Sequence, residues 1–285
     1  MNPKRWDRLV TVLLWGAGIF IIALLALFLG YVLFKGLPVL SWNFIFGASS
    51  DVHAGGGVGA QFFNTFYILF LSLLVAAPIA IGAGIYLAEY SGSGRIADAI
   101  RLSVECLASV PSIVLGLFGM IVFINIMGFG ISLGVGAMTL ALMNLPVIVR
   151  VTEEAMKTVP KEYRDASLAL GATKWQTIFR VVLPSAMPGI VTGVTLTAGR
   201  AVGETAILIF TAGTTVSRVI PDFSFSAGGE TLAVHMWYVM AIGLVPDRID
   251  KANGTAALLI LMILLFNLGL ASSSKYLRKW LTGVQ

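Results

Sequence analysis

Long uncharged hydrophobic runs alternate with short polar segments along the chain. The runs are Leu9–Phe34, Phe62–Ala88, Cys106–Val149, Ser185–Ala212 and Gly254–Ser274, of which Ser185–Ala212 alone carries charges, at Arg200 and Glu204. About 20 apolar residues cross the hydrocarbon core, so each run predicts a transmembrane helix, and Cys106–Val149 is long enough for two. We place its break at Met127–Gly130, where glycine permits a tight turn. The pattern therefore predicts an all-α membrane protein with six transmembrane helices.

The remaining segments fit connections between these helices. Residues 38–61 are rich in Gly and Ser and predict an external loop, with Trp42 at the membrane surface. Residues 231–245 are apolar but too short to cross, which favours an interfacial or re-entrant segment. We expect three regions: residues 1–61 hold the first helix and the external loop, residues 62–275 the main transmembrane domain, and residues 276–285 a cytoplasmic tail. Pro111 is expected to kink the third helix.

Basic residues are divided unequally between the two sides that six crossings define. The N-terminus, the 89–105 and 150–184 loops and the C-terminus hold Lys4, Arg5, Arg8, Arg95, Arg101, Arg150, Lys157, Lys161, Arg164, Lys174, Arg180, Lys275, Arg278 and Lys279. The opposite set holds Lys35, Arg218, Arg248 and Lys251. Because cytoplasmic loops carry the excess of Lys and Arg, the first set, with both termini, is predicted to be cytoplasmic.

Composition excludes several classes of protein. Hydrophobic residues make up 58% of the chain and charged residues 12%, and so much apolar surface points to lipid as the solvent. One cysteine, Cys106, rules out a disulfide within the chain and a cysteine metal cluster. His53 and His235 are distant in sequence, so no metal or cofactor is expected. We attribute the net charge of +5 to membrane orientation, not to nucleic acid.

The 150–184 loop is longer than a simple connection and predicts a helix, a break at Pro160 and a second helix from about Glu162. Asp165-Ala166-Ser167, Gly171 and Val181-x-Leu183-Pro184 resemble, with the same spacing, the loop motif of ABC importer permeases. The resemblance implies the type I importer permease fold, with a coupling helix that docks on an ATPase subunit through Asp165, Ala166 and Gly171. The alternative is an amphipathic helix lying on the membrane. The sequence lacks the glycine-rich Lys-Ser/Thr loop that cradles ATP phosphates, so a partner, and not this chain, would hydrolyse ATP.

Arg200 and Glu204 interrupt the fifth run, where each charge costs about 3 kcal/mol at mid-membrane. At i, i+4 they are expected to share one helix face and partly to compensate each other. A guanidinium suits an oxyanion, which predicts that the pair lines a substrate pathway. The alternative is a structural pair that holds the helices together. Hydrogen bonds between helices are the expected role of the asparagines Asn64, Asn125, Asn144 and Asn267.

Four longer stretches resemble phosphate importer permeases of the PstA family. They are Leu87–Tyr90, Ala108–Gly119, Tyr163–Thr177 and Ala198–Ala206. The resemblance implies a bacterial inner-membrane phosphate importer with a PstC-like second permease subunit, two PstB-like ATPase subunits and a PstS-like phosphate-binding protein. Importers of sulfate, molybdate or phosphonate remain alternatives, because they share the general loop. An ATP-independent secondary transporter is a further alternative, and no arrangement typical of an intramembrane enzyme is found.

Overall fold

The computed structural model describes residues 3–50, 55–92, 94–215, 221–243 and 245–282. Side chains of Pro3, Arg5 and residues 270–282 are not described, and His53 and Arg218 lie outside the described residues. The described chain is helical and contains no β-strand. Its helices are α1 (Pro3–Gly36), α2 (Trp42–Phe46), α3 (Gly59–Glu89), α4 (Arg95–Ser109), α5 (Ser112–Gly119), α6 (Leu133–Lys157), α7 (Lys161–Ala169), α8 (Lys174–Thr177), α9 (Leu183–Val202), α10 (Ala206–Thr211), α11 (Leu232–Ala241) and α12 (Arg248–Thr282).

Five stretches of helix are long and apolar enough to cross a membrane. They are residues 6–39, 59–89, 133–157, 174–202 and 248–269, and each overlaps a predicted run. A sixth crossing is made if the bent pair α4 and α5, extended by a π-helical stretch over Met120–Ile126, counts as one span. The predicted break at Met127–Gly130 is confirmed, since Gly128 and Gly130 both have a φ of 73° and α6 starts at Leu133.

The third span departs from the prediction at its start. Residues 106–109 belong to α4, and the chain bends by 100° before α5 begins at Ser112. Pro111 occupies the residue before α5, so it starts a new helix and does not merely kink a continuous one. The segment predicted as the 89–105 loop is therefore largely helix, with Ala97 buried and most of its other side chains exposed or half-buried.

The core of the molecule is the packing of α3, α6, α9 and α12, with α10 and α11 against it. Small residues let these helices approach closely: a Cβ at Gly84 would collide with Thr152, and one at Gly193 with Val151. Buried side chains that fill the core include Ile68, Leu133, Leu140, Ile148, Met156, Ile190 and Ile207. Helix α1 packs along α12, and its large apolar side chains face outward, as suits lipid contact.

The two ends of the bundle differ in chemistry. We call the end formed by residues 89–92, 94–101 and 153–182 the basic end, and the end formed by residues 36–50, 55–58, 213–215, 221–243 and 245–247 the far end. Helix α11 lies at the far end, where Leu232, Ala233, Val234 and His235 are buried. It has ten residues, so it is too short to form a seventh span, as the sequence predicted, and its burial favours the re-entrant alternative over the interfacial one.

Candidate functional site

A short helical hairpin projects from the basic end. It consists of α7, which follows Pro160 as predicted, and α8, and we call residues 161–177 the coupling segment. No residue of α7 is buried. The exposed large apolar side chains of this segment are Tyr163, Leu168, Leu170 and Trp175, and Leu170 is 89% exposed. An apolar surface of this kind at the end of a membrane-spanning bundle is typical of a protein docking site.

Asp165, Ala166 and Gly171 all lie on the coupling segment and are exposed. Gly171 has a φ of 84° and ends α7, where its N–H donates to Leu168 O and the Ala172 N–H donates to Ser167 O. This is the Schellman arrangement of a helix C-terminus, which favours glycine because other residues are strained at positive φ. The backbone at this turn therefore favours glycine independently of any docking role.

Arg164 anchors the coupling segment to the bundle, an interaction that the sequence analysis missed. Its Nη2 donates to Glu89 Oε1 at 2.6 Å and to Met156 O at 2.8 Å, while its Nη1 donates to Val159 O at 2.7 Å. Both Glu89 and Arg164 stand in stretches that resemble the permeases, but their distance along the chain gave no signal that they meet. The contact fixes how α7 is held against the end of α3.

The charged pair of the fifth span does not share a continuous helix face, contrary to the prediction. Helix α9 ends at Val202, and Gly203–Thr205 form a break before α10. Gly203 is the C-cap, and glycine lowers the propensity to continue the helix. Arg200 is exposed and Glu204 half-buried, and no ion pair joins them within the described residues. Glu204 Oε1 instead accepts from Ile207 N at 3.4 Å, at the start of α10.

Helix packing places Arg200 near mid-span. Gly189 faces Ala155 and Gly193 faces Val151, so α9 and α6 are antiparallel and Arg200 stands level with Asn144, in the middle of α6. Both polar atoms of the Asn144 amide are buried without a hydrogen-bond partner in the described chain. The structure thus puts Arg200 on the exposed surface of the bundle, level with the middle of α6.

A buried polar cluster at the far end was also missed. His235 Nδ1 and Gln61 Nε2 each lie 2.7 Å from Glu230 Oε1, and Glu230 and His235 are 1% and 2% exposed. Asn64 Nδ2 donates to Glu230 O at 3.1 Å, so this asparagine bonds to the loop before α11 and not, as predicted, to another helix. We call Gln61, Glu230 and His235 the far-end cluster. Within the described residues no group of three or more His, Cys, Asp or Glu is arranged to hold a metal ion.

Two solved transporters have the same fold. A chain of the inward-facing MetNI methionine ABC transporter matches 75% of this chain and 93% of its own length, with a TM-score of 0.61 and 23% identity. A chain of the bacterial alginate ABC transporter in complex with its periplasmic protein matches 96% of both, with a TM-score of 0.70 and 15% identity. At these identities the likeness establishes the type I importer permease fold alone.

Sequence comparison identifies nearer relatives. The probable ABC transporter permease protein YqgI of Bacillus subtilis is 42% identical over 94% of this chain and 95% of its own length. The phosphate transport system permease protein PstA of Haemophilus influenzae is 34% identical over 82% of this chain and 81% of its own. The phosphate transport system permease protein PstA 1 of Mycobacterium tuberculosis strain H37Rv is 43% identical over 55% of this chain and 51% of its own length. Residues 80–283 match the family described as binding-protein-dependent transport system inner membrane component. The chain belongs to this family, the permease subunits of ABC importers.

Proposed function

We propose that this chain is a permease subunit of an ATP-driven phosphate importer and forms half of its transmembrane pathway. In this assembly a PstC-like permease supplies the other half, two PstB-like ATPase subunits bind the basic ends, and a PstS-like protein delivers phosphate to the far end. The basic end faces the cytoplasm of a bacterial cell and residues 62–275 form the permease domain.

The coupling segment is the observation that carries this proposal. A projecting hairpin with exposed Leu170 and Trp175 has no use in a chain that works alone, whereas ABC importer permeases pair with ATPase and substrate-binding proteins. Asp165, Ala166 and Gly171 lie on the same exposed surface and form its docking residues. The ATPase partner carries out hydrolysis, because this chain has no phosphate-cradling loop.

The substrate assignment is supported by two observations. Several relatives are phosphate permeases by name, and Arg200 presents an exposed guanidinium at mid-span. Its planar fork of donors matches two oxygens of an oxyanion at once. Glu204 lies one turn of chain further along and, when ionised, can only accept hydrogen bonds, so it favours an anion that still carries a proton.

Two other functions are weighed against this one. Importers of sulfate, molybdate or phosphonate would use the same fold and the same coupling segment, and they differ in the anion that Arg200 meets. A secondary transporter would use Arg200 and Glu204 as an ion relay, but the broken helix and the missing ion pair between them do not favour a relay. Membership of the importer family also disfavours it.

The deciding experiment is uptake of radioactive phosphate by vesicles that contain the complete complex. We expect uptake that depends on internal ATP and falls about tenfold or more in Arg200→Ala, the loss of one charge-assisted hydrogen bond. Arg200→Lys should retain part of the activity, because it keeps the charge and loses the fork. Leu196→Ala, one turn earlier and also exposed, is the matched control and should transport normally. Uptake by the purified chain without nucleotide, or preferential uptake of sulfate, would overturn the proposal.

A further inference from the structure

One guanidinium joins three segments at the basic end. Arg164 lies on α7 and contacts the carboxylate of Glu89 at the end of α3, with Nη2 at 2.6 Å and Nε at 3.1 Å from Oε1. The same side chain donates to Met156 O and Val159 O, the last carbonyls around the end of α6. Neither the end of α3 nor the end of α6 can shift relative to α7 without breaking a hydrogen bond to the Arg164 guanidinium.

Both partners of this pair are shielded from water, somewhat more than in the nearby Arg101–Glu153 pair, whose side chains are 31% and 10% exposed. The side chains of Glu89 and Arg164 are 9% and 20% exposed, whereas Arg150 and Glu154 form an i, i+4 pair that is 66% and 64% exposed. Exposed ion pairs such as Arg150–Glu154 contribute little to stability and do not fix the relative positions of their side chains. The two-pronged contact of Arg164 with a shielded carboxylate has a defined geometry.

A second contact reaches the same end of α3 from the other side of the coupling segment. The Lys174 ammonium lies over the Tyr90 ring, 4.7 Å from its centroid, which is the geometry of a cation–π interaction. Arg164 precedes the turn at Gly171 and Lys174 follows it. The final residues of α3 are therefore contacted by both arms of the coupling segment.

Helix α3 connects this contact to the opposite end of the molecule. It extends without interruption from Gly59 to Glu89 and packs against α6. Near its other end, Gln61 Nε2 donates to Glu230 Oε1, and Asn64 Nδ2 to Glu230 O. A single continuous helix, which contains Pro78, thus touches the coupling segment at one end and the far-end cluster at the other.

We propose that Glu89 is a positioning residue that ties the coupling segment to α3, so that a displacement imposed by the ATPase moves α3 together with α7. The inference rests on the proposed function, because it names the contact through which an ATPase subunit would move the transmembrane helices of an importer. The backbone gives α7 direct continuity with α6 and, through α8, with α9. Glu89 adds a direct link from α7 to α3, besides the packing of α3 against α6, and so helps to deliver the displacement to the far end.

The test is the ratio of phosphate molecules imported to ATP molecules hydrolysed by the complete complex in vesicles. We expect Glu89→Gln, which keeps the size of the side chain but removes its charge, to lower this ratio about fivefold or more, the lower bound for coupling between sites. ATP hydrolysis should continue, since the docking residues are untouched. Glu154→Gln, which removes the exposed carboxylate of the neighbouring pair, is the matched control and should keep the parent ratio.

Two further variants keep the test decisive. Arg164→Lys retains the charge beside Glu89 but cannot reach the carboxylate and both carbonyls at once, so it should also lower the ratio even if Glu89→Gln fails to assemble. The double variant Glu89→Gln/Arg164→Lys should be no worse than the more affected single variant, as for two residues that act as one unit. A parent ratio in Glu89→Gln or in Arg164→Lys overturns the proposal. If the parent complex itself imports no phosphate with ATP, the proposed function has failed instead.

Discussion

Single residues at the far end give the first prediction, because burial makes the Glu230–His235 contact energetically important. With His235 replaced by Leu, the Glu230 carboxyl remains buried and retains Gln61 as its side-chain donor. We expect a loss of about 3 kcal/mol, as for a buried group that loses a hydrogen bond to a charged partner, seen as a lower unfolding temperature of the complex in detergent. His235→Asn keeps a donor near the position of Nδ1 and should lose less. Equal losses in both variants would mean that packing alone matters at this position.

Glu204 gives a second prediction at the same scale, concerning the choice of anion. Hydrogen phosphate keeps a proton at neutral pH and sulfate does not, so a carboxylate accepts a hydrogen bond from the first and repels the second. Glu204→Gln should therefore reduce the preference for phosphate over sulfate by about tenfold, the value of one such bond. The measurement is uptake of each anion in competition by the reconstituted complex, with Thr192→Ala on the exposed face of α9 as control. An unchanged preference would mean that Glu204 does not select the anion and only accepts the hydrogen bond from Ile207 N.

The sequence was enough to identify most candidate functional residues, but it was not enough to predict the contacts that each of them makes. The sequence singled out Arg200, Glu204 and the coupling residues, because charges in apolar runs and a fixed motif spacing are visible in one dimension. It could not show that the Asn144 amide lacks a partner among the described residues while Asn64 has one, since that depends on which segments meet. For the same reason, the contacts of Glu89 with Arg164 and of Glu230 with Gln61 gave no sequence signal.

At the scale of helices, the end of α7 depends on the positive φ of Gly171. A Cβ at this position would meet no atom of the described residues within 4 Å, so the cost of substitution comes from the backbone conformation. Gly171→Ala should cost about 1 kcal/mol and weaken binding of the ATPase subunit about fivefold in a co-purification titration. Asn tolerates the left-handed region better, so Gly171→Asn should bind more tightly than Gly171→Ala. The reverse order would place the effect in the interface with the partner and not in the helix end.

The existence of helices was easier to predict than their interruptions. Uncharged runs locate α1, α3, α6 and α12 because only a helix satisfies its backbone in lipid. The break before Ser112 and the break at Gly203–Thr205 lie inside apolar runs, where hydropathy is insensitive. Pro111 and Gly203 stand at these two positions, but the same residue types also occur within intact helices, as Pro78 does in α3. Packing against neighbouring helices decides between these outcomes.

The whole molecule has two chemically distinct ends, and its orientation in the membrane can be tested with single cysteines. Trp42 at the far end and Trp175 on the coupling segment are both exposed, and α3 alone, at 1.5 Å per residue, separates the ends by about 45 Å. In a Cys106→Ser background, which removes the exposed native thiol, we expect an impermeant maleimide to label Trp42→Cys in intact cells. Trp175→Cys should react only after the membrane is opened, because the excess of Lys and Arg holds its end in the cytoplasm.

Labelling of both cysteines from the same side would contradict the three crossings expected between them and would remove the bent pair α4 and α5 from the count of spans. Labelling with the sides exchanged would keep six crossings but reverse the orientation, which would place the coupling segment where no ATPase can reach it. Only the expected pattern leaves the coupling segment next to ATP and the far-end cluster next to the incoming anion. The proposed direction of transport therefore depends on the sides that these two tryptophans face.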